Sequence, residues 1–207
     1  MKVLLVNGSP NERGCTHAAL AEVASALGKE GVDTELFWLG RGSISGCLAC
    51  WRCRENGRCA IDDTVNVFRD KAEEACGFVF GAPVHYASPC GSLLSFMDRL
   101  FFSGGKVFCH KPAAAVVAAR RAGTTAALDV INKYFTISQM PVVSSRYWNM
   151  VHGAEPEDAR KDAEGLYTMR VLGRNMAYLL RCIEAGAKAG VPLPEEEPGV
   201  YTNFIRD

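Results

Sequence analysis

The chain lacks a surplus of charge of either sign, and it lacks any long apolar run. Its 23 Lys and Arg residues balance 23 Asp and Glu residues, so no net positive field favours nucleic acid or an anionic membrane surface. No stretch approaches the roughly 18 consecutive apolar residues of a membrane-spanning helix. The apolar run at residues 3–6 is too short for the core of a signal peptide. We therefore expect a cytoplasmic protein with no nucleic-acid partner and no membrane partner.

Two common nucleotide-binding motifs are also missing. The sequence contains neither a G-x-G-x-x-G fingerprint nor a Gly-Lys-Ser/Thr phosphate loop, and it has no internal repeat or low-complexity segment. The nine cysteines are an odd number, which argues against a disulfide framework and for metal or redox chemistry among reduced thiols. With 207 residues, of which 48% are hydrophobic, the chain can bury the core of one domain.

Short apolar runs alternate with helical patterns along the chain. They predict strands at residues 3–6, 34–39, 77–81, 113–119 and 141–145, and helices at residues 16–27, 64–75, 91–102, 124–135 and 156–187, the last interrupted near Gly165. This alternation is typical of βαβ units and of a parallel sheet covered on both faces. We predict an α/β, doubly wound, five-stranded parallel sheet of order 2-1-3-4-5 at residues 1–189. A cysteine-rich insertion at residues 43–61 interrupts this domain, and residues 190–207 are predicted to form an extended C-terminal tail.

The loop at residues 7–16 is the first candidate for ligand binding. In such sheets the ligand lies beyond the carboxyl ends of the strands, at the switch point of strand order, which here falls between strands one and three. The loop leaves a strand and begins a helix, where free amide hydrogens and the helix dipole favour a phosphate. Ser9 and Thr16 add hydroxyl donors, and Arg13 adds a charge. An ordinary turn with an N-cap is the competing interpretation, because Gly, Ser, Pro and Asn occur in any turn.

The loop at residues 82–90, after the third strand, can form a wall beside a flat heterocycle. Such a ring requires backbone amides and apolar or aromatic side chains beside it, and Pro83, Val84 and Tyr86 meet that requirement. His85 is either a contact of the ring or of a partner chain, or only a surface polar group. Residues 119–123 follow the fourth strand and are expected to lie next to this loop.

Cys47, Cys50, Cys53 and Cys59 form the motif C-x2-C-x2-C-x5-C, the most informative feature of the chain. Compact runs of this kind bind iron–sulfur clusters, which need four thiolates on one side of the chain. Structural zinc usually takes two C-x2-C pairs held apart by a longer spacer, and that spacer is missing. A [4Fe–4S] cluster is therefore our first interpretation, with zinc and with free or redox-active thiols as the alternatives.

Three further segments resemble the NADPH-dependent FMN reductase family. They are Gly8-Ser9-Pro10 with Thr16, residues 81–86 (GAPVHY) and residues 91–99 (GSLLSFMDR). The cysteine run narrows the resemblance to the iron–sulfur flavoprotein branch of that family. The resemblance covers about residues 1–150 and implies a flavodoxin-like fold, FMN as cofactor, and NAD(P)H as co-substrate. It also implies a homodimer or homotetramer with the flavin sites at the interface.

The same resemblance implies a set of flavin-binding residues. The phosphate would be held by Ser9, Asn11, Arg13, Cys15 and Thr16. The isoalloxazine would lie against Pro83, Val84, His85 and Tyr86 and against Arg120, Arg121 and Gly123. Cys15 replaces an Asn of many members, and His85 replaces a larger aromatic residue. No catalytic acid or base is expected, because a flavin carries its own redox chemistry.

The function predicted from these features is an FMN-dependent oxidoreductase that transfers electrons between NAD(P)H, or another small-molecule or protein donor, and an acceptor. The cysteines would add an iron–sulfur cluster. One alternative is a NAD(P)H-dependent FMN or quinone reductase without a cluster. The other is a non-enzymatic electron carrier of flavodoxin type, which the balanced charge disfavours because such carriers usually dock through acidic surfaces.

Overall fold

The computed structural model describes residues 1–200 and 202. Within that part, the strands are β1 (Lys2–Asn7), β2 (Asp33–Trp38), β3 (Gly77–His85), β4 (Ser88–Pro89), β5 (Ala113–Ala119) and β6 (Met150–His152). The helices are α1 (Cys15–Lys29), α2 (Cys53–Asn56), α3 (Thr64–Glu74), α4 (Gly91–Gly104), α5 (Thr124–Ile137), α6 (Pro156–Ala159) and α7 (Ala163–Lys188). A short 3₁₀ turn at Gly105–Val107 follows α4.

The main sheet is parallel, with the order β2-β1-β3-β5-β6, and β4 pairs antiparallel to β3. With β4 set aside, this is the order 2-1-3-4-5, so the predicted doubly wound parallel sheet is confirmed. Residues 3–6 of β1 and all seven residues of β5 are buried. Their continuous apolar sequence is what a strand covered on both faces requires.

Helices cover both faces of the sheet and divide the core into two layers. On one face, Phe68 of α3 and Phe96 of α4 pack edge-on at 5.4 Å between ring centroids, beside the buried strand residues Phe78 and Phe80. On the other face, α1 and α7 pack together over Leu5, Val79 and their neighbours. The carboxyl ends of β1, β3 and β5 stay uncovered by these helices, which leaves room for a site at that edge.

The fifth parallel strand lies later in the chain than predicted. At residues 141–145, Val142 forms only an isolated bridge with Ala113 and is exposed. The chain then leaves the sheet through a polar segment and returns at Met150 and Val151, which are buried and pair with Val117 and Ala118. The edge strand is therefore the segment at residues 150–152, which pairs with β5 over three residues.

Two further elements differ from the sequence-based expectation. The predicted loop at residues 82–90 is largely a β-hairpin, since β3 continues to His85, which pairs with Ser88 of β4. The interruption predicted near Gly165 in the last helix lies a few residues earlier, at residues 160–162, and separates α6 from α7. Asp162 separates them because its carboxylate caps α7 by accepting a hydrogen bond from the Gly165 amide at 2.9 Å.

Beyond α7, residues 191–200 have no regular secondary structure and are exposed. Residues 201 and 203–207 of the predicted tail lie outside the described residues. None of the helices in the described part of the chain has the length and apolar character needed to cross a lipid bilayer.

Candidate functional site

A cleft of about 260 Å³ opens at the carboxyl edge of the sheet. It lies at the switch point between β1 and β3, where the strand order predicted a ligand site. Several of the predicted flavin-binding residues line it together, and they are Ser9, Asn11, Cys15, Thr16, Pro83, Val84 and Arg120. The structure thus brings the loop before α1 and the end of β3 to the same space.

Hydrogen bonds from its own side chains hold the loop before α1 in shape. Asn7 accepts a hydrogen bond from the Ser9 amide at 3.1 Å and donates one to the Glu12 carbonyl at 2.9 Å. The Ser9 hydroxyl accepts a hydrogen bond from the Asn11 amide at 3.1 Å, and Trp38 donates to the Ser9 carbonyl at 2.8 Å. The Ser9 oxygen is therefore already an acceptor, and its own hydrogen remains free to be donated to a ligand.

Thr16 is the strongest sign of a ligand in this cleft. The residue is 1% exposed, yet its hydroxyl oxygen has no hydrogen-bond partner. It lies in the first turn of α1, whose N-cap Gly14 offers no side-chain cap, so the first amides of the helix are uncapped as well. Buried polar groups are nearly always paired. A bound anion at the start of α1 would satisfy both the hydroxyl and the amides.

Cys15 lines the cleft and also connects two parts of its wall. Its thiol donates to the Gly153 carbonyl across 3.5 Å and so links the start of α1 to the segment after β6. Burial raises the pKa of Cys15, and the negative charges of Glu155, Asp158 and Glu157 raise it further. The group is therefore a neutral thiol, which holds the wall of the cleft and offers no charge to an anion.

The remaining predicted residues lie beside the cleft. Arg13 is in an adjoining cleft with Arg41, whose Nε donates to the Pro10 carbonyl at 3.1 Å. His85 and Tyr86 are exposed in the β3–β4 hairpin, and Arg121 is also exposed.

Gly123 packs against the turn of the β3–β4 hairpin. Its φ is +88°, and a Cβ there would lie 2.7 Å from Ala87 Cα, so only glycine fits. The close approach keeps the hairpin against the end of β5.

Some residues of the cleft escaped the sequence-based prediction. They are Gly14, Ala118, Ala119 and residues 153–156. The Gly153 amide donates to the Ala119 carbonyl at 3.0 Å, which places the segment after β6 beside β5. The Gly-Ala-Glu-Pro sequence of residues 153–156 would have indicated this loop if the edge strand had been placed at residues 150–152.

The four motif cysteines line a second cavity, which shares no residue with the cleft. Cys47, Cys50, Cys53 and Cys59 enclose it together with apolar and polar residues from the same loop and from α4, namely Leu48, Trp51, Ala60, Ile61, Arg99, Phe102 and Ser103. Ala49 and Trp51 have positive φ angles of 49° and 62°. Such strained turns between the cysteines reverse the chain locally and are often found at functional sites.

The four thiols that line the second cavity would suit a positively charged group once they are deprotonated. Burial raises the pKa of Cys53, and the neighbouring Cys50, Cys47 and Cys59 raise it further. Deprotonated thiols that crowd together in this way require a cation to hold their charge. The donors are sulfur throughout, the set that iron–sulfur clusters and zinc accept. Within the described residues, no three Cys, His, Asp or Glu side chains converge at the distances that one metal ion requires.

The chain is similar in sequence to a known protein family over most of its length. The sequence profile of the NADPH-dependent FMN reductase family matches residues 1–155. An iron–sulfur flavoprotein of Methanocaldococcus jannaschii is 32% identical over 195 residues, which cover 89% of this chain and 100% of the relative. An iron–sulfur flavoprotein of Methanosarcina thermophila is 23% identical over 188 residues, which cover 89% of this chain and 97% of the relative.

Among solved structures, RosB with a bound 8-demethyl-8-formylriboflavin-5'-phosphate intermediate superposes with a TM-score of 0.69 at 16% identity, over 99% of this chain and 92% of that one. A WrbA-like flavodoxin from Agrobacterium tumefaciens gives a TM-score of 0.59 at 15% identity, over 87% of this chain and 97% of that one. At such identities these structures establish the fold alone, which is flavodoxin-like.

Proposed function

This chain belongs to the NADPH-dependent FMN reductase family of flavin-dependent oxidoreductases, in its iron–sulfur flavoprotein branch, and on that premise we propose the groups that carry its electrons. FMN binds in the cleft at the start of α1, and a [4Fe–4S] cluster binds in the cavity of the four cysteines. Electrons pass between NAD(P)H or another donor, the two bound groups and an acceptor. The partners in this exchange are small molecules or proteins.

One observation carries the cluster proposal, the enclosure of a single cavity by Cys47, Cys50, Cys53 and Cys59. The spacing of the motif lacks the long spacer usual for structural zinc. Two relatives that align over most of this chain are named iron–sulfur flavoproteins, which supports the same assignment.

The cleft at the start of α1 fits the phosphate of FMN. The unpartnered Thr16 hydroxyl, the hydroxyl hydrogen of Ser9 and the uncapped amides of α1 are donors to an anion. Arg120 lines the same cleft and adds a positive charge. Beside them, Pro83 and Val84 offer an apolar wall to the ring. When bound, FMN accepts a hydride and releases electrons one or two at a time, while these residues bind it, orient it and exclude water from one side of it.

Metal and sulfide analysis of anaerobically purified protein tests the proposal. We expect iron and acid-labile sulfide to approach about four of each per chain, the composition of a [4Fe–4S] cluster, together with one FMN. Replacing any one of the four motif cysteines by Ser should lose or convert the cluster and leave FMN bound, because the cleft and the cavity share no lining residue. Cys182→Ser is the matched control, since Cys182 is exposed on α7.

The alternatives give different results in the same experiment. A zinc site predicts one zinc and no sulfide per chain. Free thiols predict neither metal nor sulfide, and four more titratable thiols in the native protein. Absence of iron and sulfide after anaerobic expression with added iron would contradict the cluster and favour an FMN or quinone reductase without one. If FMN is bound but NAD(P)H does not bleach it, a flavodoxin-type carrier is favoured.

A further inference from the structure

Arg99 lies on α4 at the wall of the cysteine cavity, and it is 1% exposed. Its Nε donates to the sulfur of Cys59 at 3.2 Å. Its two terminal nitrogens donate to the two carboxylate oxygens of Asp63 at 2.7 and 2.8 Å, and one of them also donates to the Ile61 carbonyl at 2.9 Å. The guanidinium is therefore fixed in one orientation, with one N–H directed at a sulfur of the motif.

Asp63 is ionised in this arrangement, so the buried Arg99 forms an ion pair with a carboxylate that is partly exposed. Burial by itself raises the pKa of Asp63, but hydrogen bonds from Arg99 and from the Val65 amide lower it below its usual range. Asp63 also caps α3 through that Val65 amide, at 3.0 Å. The positive charge of Arg99 thus lies in the cavity wall and contacts a sulfur of the motif, whereas Asp63 contacts Arg99 and does not line the cavity.

The backbone of Cys59 has a second support besides Arg99. Asn66, which is buried, accepts a hydrogen bond from the Cys59 amide and donates one to the Cys59 carbonyl, both at 3.0 Å. These two bonds hold the backbone of Cys59 against α3. The bond from Arg99 to the sulfur is therefore available to act on the charge of the sulfur.

Cys59 differs in this respect from the other cysteines of the motif. Within residues 1–200 and 202, only one side-chain hydrogen bond reaches a sulfur of the motif, and it runs from Arg99 to Cys59. Cys47 and Cys50 are exposed, so water screens charges placed near them. The environment of the four sulfurs is thus asymmetric, and the buried cation is at Cys59.

We propose that Arg99 raises the reduction potential of the cluster bound by the four cysteines, and that Asp63 lowers it. This inference rests on the proposed function, because it assumes that a cluster occupies the cavity. Reduction adds one negative charge to the cluster, and a nearby cation stabilises the more negative form. Hydrogen bonds and charges around the ligands of a metal group are an established means of setting its potential.

Two substitutions that break the same ion pair separate this effect from loss of structure. Arg99→Gln removes the cation and should lower the ratio of reduced to oxidised cluster at a fixed potential by about tenfold, which is about 59 mV for one electron. Asp63→Asn removes the anion, keeps a residue that caps helices well, and should raise the same ratio. Damage to the fold alone would shift both variants in the same direction.

The measurement is a redox titration of anaerobically purified protein, with the cluster followed by electron paramagnetic resonance and FMN followed by absorbance. Arg58→Gln is the control, because Arg58 belongs to the same loop but pairs with Asp70 outside the cavity, and its cluster potential should equal that of the parent. Iron and sulfide are measured in every sample. If Arg99→Gln retains no cluster, the cluster potential of Asp63→Asn is compared with that of the parent. An upward shift supports the electrostatic role of this ion pair, and an unchanged potential overturns it.

Equal cluster potentials in the parent and in both variants, with iron and sulfide at parent levels, would overturn the role of Arg99 and leave the proposed function intact. Shifts in the same direction in both variants would also overturn it. A parent protein without iron and sulfide contradicts the proposed function itself, and this inference with it.

Discussion

Thr16 and Arg99 are both buried polar residues, but the protein satisfies only one of them. Arg99 uses its guanidinium hydrogens on Asp63, Ile61 and Cys59, whereas the Thr16 hydroxyl has no partner. An unpaired buried hydroxyl costs about 1–3 kcal/mol. A folded protein tolerates that cost at a position where a ligand later supplies the missing bond, and the proposed phosphate site at the start of α1 would be such a position.

Substitution of Thr16 by Val tests this role at a single atom. Val has nearly the same shape, so the variant without FMN should be as stable as the parent or more stable. The variant should bind FMN about tenfold more weakly or worse, because a hydrogen bond to a charged phosphate is worth roughly 1.5–3 kcal/mol. Thermal unfolding of the apoprotein and fluorescence titration with FMN measure the two effects.

Thr168→Val is the control for this substitution. Thr168 is equally buried, but its hydroxyl donates to the Glu164 carbonyl at 2.9 Å on α7, away from the cleft. Loss of the Thr168 hydroxyl should change only the unfolding temperature of the apoprotein and leave FMN affinity unchanged. Unaltered FMN affinity in Thr16→Val would show that the hydroxyl does not face the phosphate.

The sequence predicts the position of Thr16 in the site, but it does not predict the contacts of Arg99. Thr16 follows a strand and begins a helix, so its position in a phosphate loop is evident from local sequence. The partners of Arg99 are 36 and 40 residues away in sequence, and their contact exists only when the cysteine loop folds over α4. Local patterns carry no information on such long-range pairs.

At the scale of elements, the sequence predicts the parallel strands because each is a continuous apolar run. Their alternation with helices predicts the parallel sheet in which they pair. The position of β6 is not predicted, because residues 141–145 and residues 150–152 are both apolar enough for an edge strand. Only pairing with β5 in the folded chain, which extends over three residues at 150–152, separates them. The hairpin was missed for another reason. Its turn residues, Tyr86 and Ala87, are not the residues that usually form such a turn.

The β3–β4 hairpin carries backbone strain that its sequence does not relieve. Tyr86 and Ala87 have φ angles of 51° and 58°, and two consecutive left-handed residues between paired strands form a type I′ turn, for which Asn-Gly is preferred. Ala87→Gly should therefore stabilise the protein by about 1 kcal/mol. Urea-induced unfolding of the apoprotein measures the change.

An alanine with an ordinary backbone provides the comparison for the hairpin. Ala189 is exposed like Ala87, but its φ is −81°, so Ala189→Gly should leave stability unchanged or lower it by up to about 1 kcal/mol. If both glycine variants lose stability equally, the turn at Ala87 is not strained. The strain would be consistent with a hairpin that is shaped for the ring of FMN at some expense of stability.

On the scale of the whole molecule, the cleft and the cysteine cavity are well separated. The start of α4 lies next to the loop before α1, since the Cys90 thiol donates to the Gly8 carbonyl at 3.1 Å. The cavity-lining residues Arg99, Phe102 and Ser103 follow eight to twelve residues after Gly91, roughly 12–18 Å along the helix. The family resemblance implies an assembly in which the cluster of one chain lies near the flavin of another. Such an assembly would give the electron a second route between the two groups.

The surface around the cysteine cavity suits contact with a second chain. Leu48, Trp51 and Phe102 are exposed there, and the rings of Trp51 and Phe102 pack edge-on at 5.2 Å between centroids. Clustered aromatic residues at a surface are typical of interface cores. We therefore predict a homodimer or homotetramer that uses this face, which lies on the α4 side of the sheet.

Light scattering of the FMN-bound protein at micromolar concentration should give at least twice the mass of one chain. Phe102→Glu should reduce this mass towards that of the monomer, because it places a charge in the buried centre of the contact. Tyr178→Glu makes the same change on α7, which covers the opposite face of the sheet, and should leave the assembly intact. The reverse result would move the interface to α7, and a monomeric parent that retains FMN tightly would contradict the assembly altogether. In that case electrons could pass between flavin and cluster only within one chain, over the distance along α4.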